Sequence, residues 1–177
     1  MRRNNNFSVS RRQLLMSAGA LLILSGCSGQ PAGIRPSNPA VFENLLKIPP
    51  LAEFQVDADG TRVFELEARP GSSDFLPGVQ TPTWGYNGDF LGPTLRAERG
   101  QRIAIAVTNS LDEVTTVHWH GMHLPAAMDG GPHQVIAPGD TWRPTWEINQ
   151  PAATLWYHPH PHGRTEEHVY RGLAGMF

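Results

Sequence analysis

Gln101-Arg102-Ile103-Ala104-Ile105-Ala106-Val107-Thr108-Asn109 decides the fold class. Its bulky apolar residues fall at every second position. In an extended strand, every second side chain points to one face. Ile103, Ile105 and Val107 therefore share a face, as they do in a strand covered on one side. Before this stretch, Arg62 to Ala68 alternates after the turn Asp59-Gly60. Thr81 to Tyr86 makes a second strand closed by Asn87-Gly88, and Pro93 to Glu98 a third closed by Arg99-Gly100. After it come Thr115 to His120, Asp140 to Ile148 and Ala153 to His158, with Pro144 marking an edge. Gly172 to Phe177 opens another apolar run. Short strands at this spacing predict an all-β sandwich with Greek-key connections. No helix of ordinary length is needed, and Val41 to Ile48 offers at most a short helical turn.

The chain has 177 residues, enough for one domain. Gly (18) and Pro (16) favour turns and short strands. A formal net charge of −2 gives no footing for nucleic acid. The one cysteine is Cys27, so no intrachain disulfide can form. A blue-copper centre needs a Cys thiolate beside two His, and the region after Cys27 has none to give.

Residues 1–27 read as a targeting segment. Ser10-Arg11-Arg12-Gln13-Leu14-Leu15-Met16 resembles a twin-arginine export signal, and the apolar run Ala18 to Leu24 suits its core. Leu24-Ser25-Gly26-Cys27 resembles the lipobox of bacterial lipoproteins, which implies cleavage before Cys27 and a lipid on its sulfur. The expected location is periplasmic, anchored to a bacterial membrane through that lipid. Residues 28–50, rich in Gly, Pro, Ser and Asn, read as a flexible linker, and residues 51–177 as the folded domain.

All eight histidines lie between His118 and His168. Four of them form two His-X-His pairs. One is in Thr116-Val117-His118-Trp119-His120-Gly121, the other in Trp156-Tyr157-His158-Pro159-His160-Pro161-His162-Gly163. A strand would turn both imidazoles of a pair to one side, and two such strands together would gather four. Neutral imidazole suits copper, zinc, iron and nickel. Trp119 then points away from its flanking histidines into the core. Trp84, Trp142, Trp146 and Trp156 read as packing residues too. His123 and His133 lie in a polar loop and read as solvent-facing, as does His168. His162 reads as a residue behind the ligands or on the surface. Asp129, before Gly130-Gly131, suits a turn.

These stretches are similar to the first two copper motifs of multicopper oxidases of the bacterial cuprous oxidase, laccase and bilirubin oxidase type. Thr83-Trp84-Gly85-Tyr86-Asn87-Gly88, Leu91-Gly92-Pro93-Thr94, Met128-Asp129-Gly130-Gly131-Pro132 and Gln150-Pro151-Ala152-Ala153-Thr154 agree in the same order. The likeness runs from about Phe64 to Phe177, the first cupredoxin domain of that family. The resemblance implies a cupredoxin-like Greek-key sandwich and half the ligands of a trinuclear copper cluster. His118 would bind the type 2 copper, and His120, His158 and His160 the type 3 pair. It implies reduction of O₂ to water while a donor, cuprous ion or a phenol, is oxidised, with Asp129 as a proton relay. The type 1 copper and the remaining ligands would come from a C-terminal cupredoxin domain or another chain. The apolar run ending at Phe177 is expected to be an interior strand cut short, leaving a fragment inactive alone.

Two further classes compete. One is a non-enzymatic copper-binding lipoprotein. The other is a metal-free cupredoxin scaffold of the cell-division type, against which the four retained histidines argue. A zinc hydrolase built on His-X-His would carry further Asp or His ligands at close spacing.

Overall fold

The alternating stretch becomes strand β4 (Arg102–Asn109), and beside it lies the long β2 (Arg62–Leu76). A computed structural model describes residues 45–177 of the chain, and the compact unit within them runs from Lys47 to Phe177. β2 and β4 are parallel, in register from Arg62 opposite Ile103 to Ala68 opposite Asn109. That register sets Phe64 beside Ile105 and Leu66 beside Val107, and all four side chains are buried. Each buried side chain of this size contributes about 1.5–3 kcal/mol.

β1 (Phe54–Val56) pairs antiparallel with the start of β2. From Ala68 onward β2 instead forms a ribbon with β3 (Val79–Tyr86). On the far edge of β4 lie β6 (Thr141–Trp142) and β7 (Thr145–Glu147). They are two pieces of the strand expected over 140–148. Pro144 has no N–H to continue the ladder, although its carbonyl still accepts the Ile105 N–H at 3.1 Å.

The second sheet is small. It orders β5 (His118–His120), β8 (Trp156–His158) and β9 (Gly175–Met176). Its inner face carries Trp119 and Tyr157, both buried. Trp119 meets Trp146 at 5.5 Å between ring centroids, and Tyr157 meets Tyr86 at 5.2 Å. These contacts close the two sheets into the expected all-β sandwich. The Tyr157 hydroxyl donates to the Pro93 carbonyl at 2.7 Å, which pins β8 to the chain crossing beside it.

Some expected elements differ. Residues 93–98 form no strand: Thr94 makes a single bridge to Leu51. There the Thr94 N–H donates to Pro50 O and the Leu95 N–H to Met176 O, so the segment divides its bonds among separate neighbours. β5 begins at His118, because Thr115 is drawn into a bridge with Ile136. β8 begins at Trp156 rather than Ala153. A short helix, α1 (Thr165–Arg171), follows the second histidine pair. Glu167 and Arg171 pair along it at 2.8 Å, and Gly172 at φ 120° ends it. Among the described residues, no helix is long and apolar enough to cross a membrane. The targeting segment 1–27 and linker residues 28–44 lie outside the described residues. So does the start of the Val41–Ile48 turn, and Leu45–Ile48 have no regular structure.

Candidate metal centre

Alternation along β5 and β8 builds the site. Trp119 and Tyr157 take the inner face, so His118, His120 and His158 take the outer one. The register sets His118 opposite His158. The rings of His118 and His158 lie 5.5 Å apart, those of His120 and His158 5.4 Å, and those of His118 and His120 5.7 Å. One ring nitrogen from each of the three falls within 4.8 Å of the others. His160 stands past the end of β8. Its ring is 5.8 Å from that of His118 and 6.2 Å from that of His158. All four expected ligands are thus gathered on one face, His160 at the margin.

The hydrogen bonds choose which nitrogens face inward. His118 Nδ1–H donates to the Asp129 carbonyl at 2.9 Å, which leaves Nε2 as a lone pair for the cluster. His158 Nδ1–H donates to Pro159 O at 2.8 Å, again freeing Nε2. His120 is reversed: its Nδ1 lies 3.1 Å from His158 Nε2, so it faces the cluster through Nδ1. Burial pushes His158 below the ordinary histidine range, and the neighbouring imidazoles add to this against the pull of its bond to Pro159. A neutral imidazole is the form that binds metal. Three convergent imidazoles with a fourth beside them, two of the four locked in tautomer by backbone carbonyls, and no thiolate among the described residues make a donor set that fits copper.

The surroundings brace these imidazoles. Asp129 ends a 3₁₀ turn (Ala126–Met128), and its carboxylate lies 3.3 Å from His118 Nδ1. Both readings of Asp129 are compatible: a turn residue whose carbonyl orients His118, and a half-exposed carboxylate next to that imidazole. The Thr116 hydroxyl accepts the His160 backbone N–H at 2.6 Å. Gln150 accepts the His123 N–H at 2.6 Å and donates to Gly121 O at 3.1 Å, holding the chain just after the first pair. Sequence reasoning singled out neither Thr116 nor Gln150 for a role. Thr116 sits two residues before His118, which was the available signal.

His123, His133 and His162 are exposed, as expected. His168 is not: it is fully buried, bonded to Glu113 and Thr115, because α1 folds it back under the loop before β5. Trp156 does pack, stacking on His158 at 4.0 Å, but on the outer, histidine-bearing face of β8 rather than in the core, and it is 37% exposed.

The fold and the site together define a class: a two-sheet cupredoxin-type domain whose imidazoles present a metal site on one face. The comparisons with known proteins supply the family. The sequence pattern described as "Multicopper oxidase" matches residues 67–177, and the chain belongs to that family. The chain is 43% identical over 139 residues to the multicopper oxidase mco of Staphylococcus epidermidis, covering 78% of this chain and 31% of that protein. It is 36% identical over 170 residues to the cell division protein FtsP of Escherichia coli K12, covering 96% of this chain and 34% of that protein. A laccase structure from Pediococcus acidilactici superposes with a TM-score of 0.73 at 38% identity, covering 77% of this chain and 30% of that one. The chain thus spans about a third of the length of the relatives it matches.

Proposed function

We propose that this domain supplies His118, His120, His158 and His160 to a trinuclear copper cluster that reduces O₂ to water. His118 would serve the type 2 copper, and His120, His158 and His160 the type 3 pair. The observation that carries the reading is the convergence of three ring nitrogens within 4.8 Å, with His160 beside them. Copper, when bound, supplies the one-electron steps by which O₂ gains four electrons from a donor such as cuprous ion or a phenol. The protein's own residues orient and protonate. Pro159 and Asp129 carbonyls fix two imidazoles for Nε2 ligation. The Asp129 carboxylate, 42% exposed and 3.3 Å from His118, can take a proton from solvent and pass it toward the cluster.

Four imidazoles are too few to saturate three coppers, each of which takes several ligands. A further domain or another chain therefore completes the cluster and carries the electron-accepting copper. Export by the twin-arginine route, a lipid on Cys27 and a periplasmic location belong to the same proposal. They are supported by Ser10 to Met16 and Leu24 to Cys27.

The similarity to FtsP over 170 residues favours a second reading, in which the domain is a scaffold that needs no metal. A third keeps the copper and drops the turnover. One experiment separates them: load the chain with copper, measure the metal by elemental analysis, and follow oxygen uptake with a phenolic donor. Tight copper without turnover is expected of the domain alone, and addition of the completing partner should start oxygen uptake. A folded chain that takes up no copper overturns the proposal in favour of the scaffold. Copper that stays inert with the partner present leaves a binding module.

A further inference from the structure

Glu113 and His168 lie outside the imidazole cluster, and the proposed reaction does not use them. His168 is buried on α1 with both ring nitrogens engaged: Nε2 lies 2.7 Å from Glu113 Oε1, and Nδ1 3.1 Å from Thr115 Oγ1. Burial holds His168 below the ordinary histidine range, against the pull of Glu113. Burial works the other way on Glu113, but hydrogen bonds from His168 and Arg164 outweigh it and keep the carboxyl below its usual range. The pair is therefore a carboxylate and a neutral ring. Nε2–H donates to Glu113, and the Thr115 hydroxyl donates to Nδ1.

Both ends of this contact are fixed. The Glu113 carbonyl accepts from Asn109 Nδ2 at 2.9 Å, at the end of β4. Its carboxylate also accepts from Arg164, 2.8 Å from each oxygen. Arg164 in turn meets Glu167 at 3.1 Å, and Glu167 meets Arg171. Arg171 lies over the Trp84 ring at 4.5 Å, and Trp84 meets the His168 ring edge-on at 4.9 Å.

This network ties residues 113–116, just before the first histidine pair, to residues 160–168, which follow or include the end of the second. Four links cross: Thr116 to His160, Glu113 to Arg164, His168 to Glu113, and His168 to Thr115. Such links are needed. β5 and β8 share only three register pairs, and His160 lies beyond the last. The ladder aligns His118 with His158 but leaves His160 to the turn that leads into α1.

We propose that Glu113 and His168 are positioning residues for the metal centre, forming a clasp that fixes where His160 stands relative to His118. The inference rests on reading the four imidazoles as a metal site. The test uses the full chain in three forms: wild type, Glu113→Ala and Glu113→Gln. The last keeps the shape and the acceptor for His168. Ile105→Val, in the sheet core, serves as a control that lowers stability away from the clasp.

The first readout is histidine-ring NMR of the metal-free protein; the second is Cu(II) titration with electron paramagnetic resonance. In Glu113→Ala the His160 ring resonances should shift and broaden while those of His118 hold. Copper affinity should fall by up to about tenfold, the low end of the cost of losing a ligand's direct partner, since Glu113 acts one link further out. The copper hyperfine pattern should change, and Glu113→Gln should restore part of each effect. If Glu113→Ala fails to fold, Glu113→Gln carries the same comparison with a smaller expected loss. The clasp is overturned by His160 resonances and a copper spectrum like those of wild type. It is equally overturned by an affinity loss no larger than that of the control. Wild type that binds no copper instead overturns the metal-site reading, and the NMR comparison then judges the clasp alone.

Discussion

Gly130→Ala should damage the metal centre out of proportion to the single methyl it adds. Gly130 follows Asp129 and sits at φ +72°, where a side chain is strained by about 1–2 kcal/mol. Space is the larger problem. A Cβ built at Gly130 lands on the Val117 carbonyl, within the radii of its oxygen and carbon, and 3.0 Å from the His118 nitrogen. Neither neighbour is a flexible side chain; both are backbone at the start of β5. The 129–131 loop would have to withdraw by roughly 1–2 Å, given how little slack a packed interior holds. The 2.9 Å bond from His118 Nδ1 to Asp129 O cannot survive such a shift. Losing it frees the His118 ring to rotate, and the copper affinity should drop about 10–100-fold. Gly60→Ala is the control. Gly60 has the same kind of backbone, φ +85°, but nothing lies within 4 Å of its added Cβ. It should cost about 1–2 kcal/mol and leave copper binding alone. Thermal melts and Cu(II) titrations on the two variants and wild type give the comparison. If Gly130→Ala binds copper as wild type does, and melts no lower than Gly60→Ala, the carbonyl does not orient His118 and the reasoning fails.

Other expectations follow from the same geometry. His118→Ala and His160→Ala should each cut copper content while leaving the strand signal in circular dichroism intact; in the completed oxidase either should abolish oxygen uptake, and unchanged uptake would sink the ligand assignment. Ile105→Ala removes a fully buried side chain from the β2–β4 face and should cost about 2–5 kcal/mol in denaturant unfolding, with copper affinity per folded molecule unchanged. The domain should lose stability on acidification. His168 is held below its ordinary value of 6.5, so below that pH the unfolded chain takes a proton that the fold refuses; Glu113, held below 4.5, adds a loss as pH falls through its folded value. Melting temperature should therefore decline from about pH 7 to pH 5, less steeply in His168→Gln, and an equal slope in both proteins would remove His168 as the cause.

How far the sequence could be read depended on the distance over which each feature is encoded. The alternation in Gln101 to Asn109 is local: the period of two is set by strand geometry, and it emerged as β4 with Ile103, Ile105 and Val107 buried. The His-X-His pairs are local in the same sense, so the outer face of β5 and β8 could be foreseen. Whether a candidate strand becomes one depends on who is available to pair. Residues 93–98 had the composition, but their donors are spread over Pro50 and Met176, and no strand formed. Neither neighbour is visible within a window around Pro93.

His168 shows the limit most plainly. In sequence it is a histidine in a charged stretch, Glu166-Glu167-His168, and exposure is the ordinary expectation. Its burial comes from Glu113, 55 residues earlier, and from Trp84, on β3 of the larger sheet. A polar ring with both nitrogens satisfied can be buried at modest cost, whereas one with neither satisfied cannot. The partners that make burial tolerable are thus what a local reading cannot see. The same logic bears on the choice between oxidase and scaffold. The four candidate imidazoles could be picked out locally, but the orientation of two rings is set by the carbonyls of Pro159 and Asp129, and the backbone of His160 is held by the Thr116 hydroxyl. A metal site requires two Nε2 atoms and one Nδ1 turned toward a common point, whereas a scaffold that needed no metal does not require it. In the metal-free chain a proton on His120 Nδ1 can bridge to His158 Nε2 at 3.1 Å, so the convergence is compatible with either reading, which is why the copper measurement on the intact chain decides between the two.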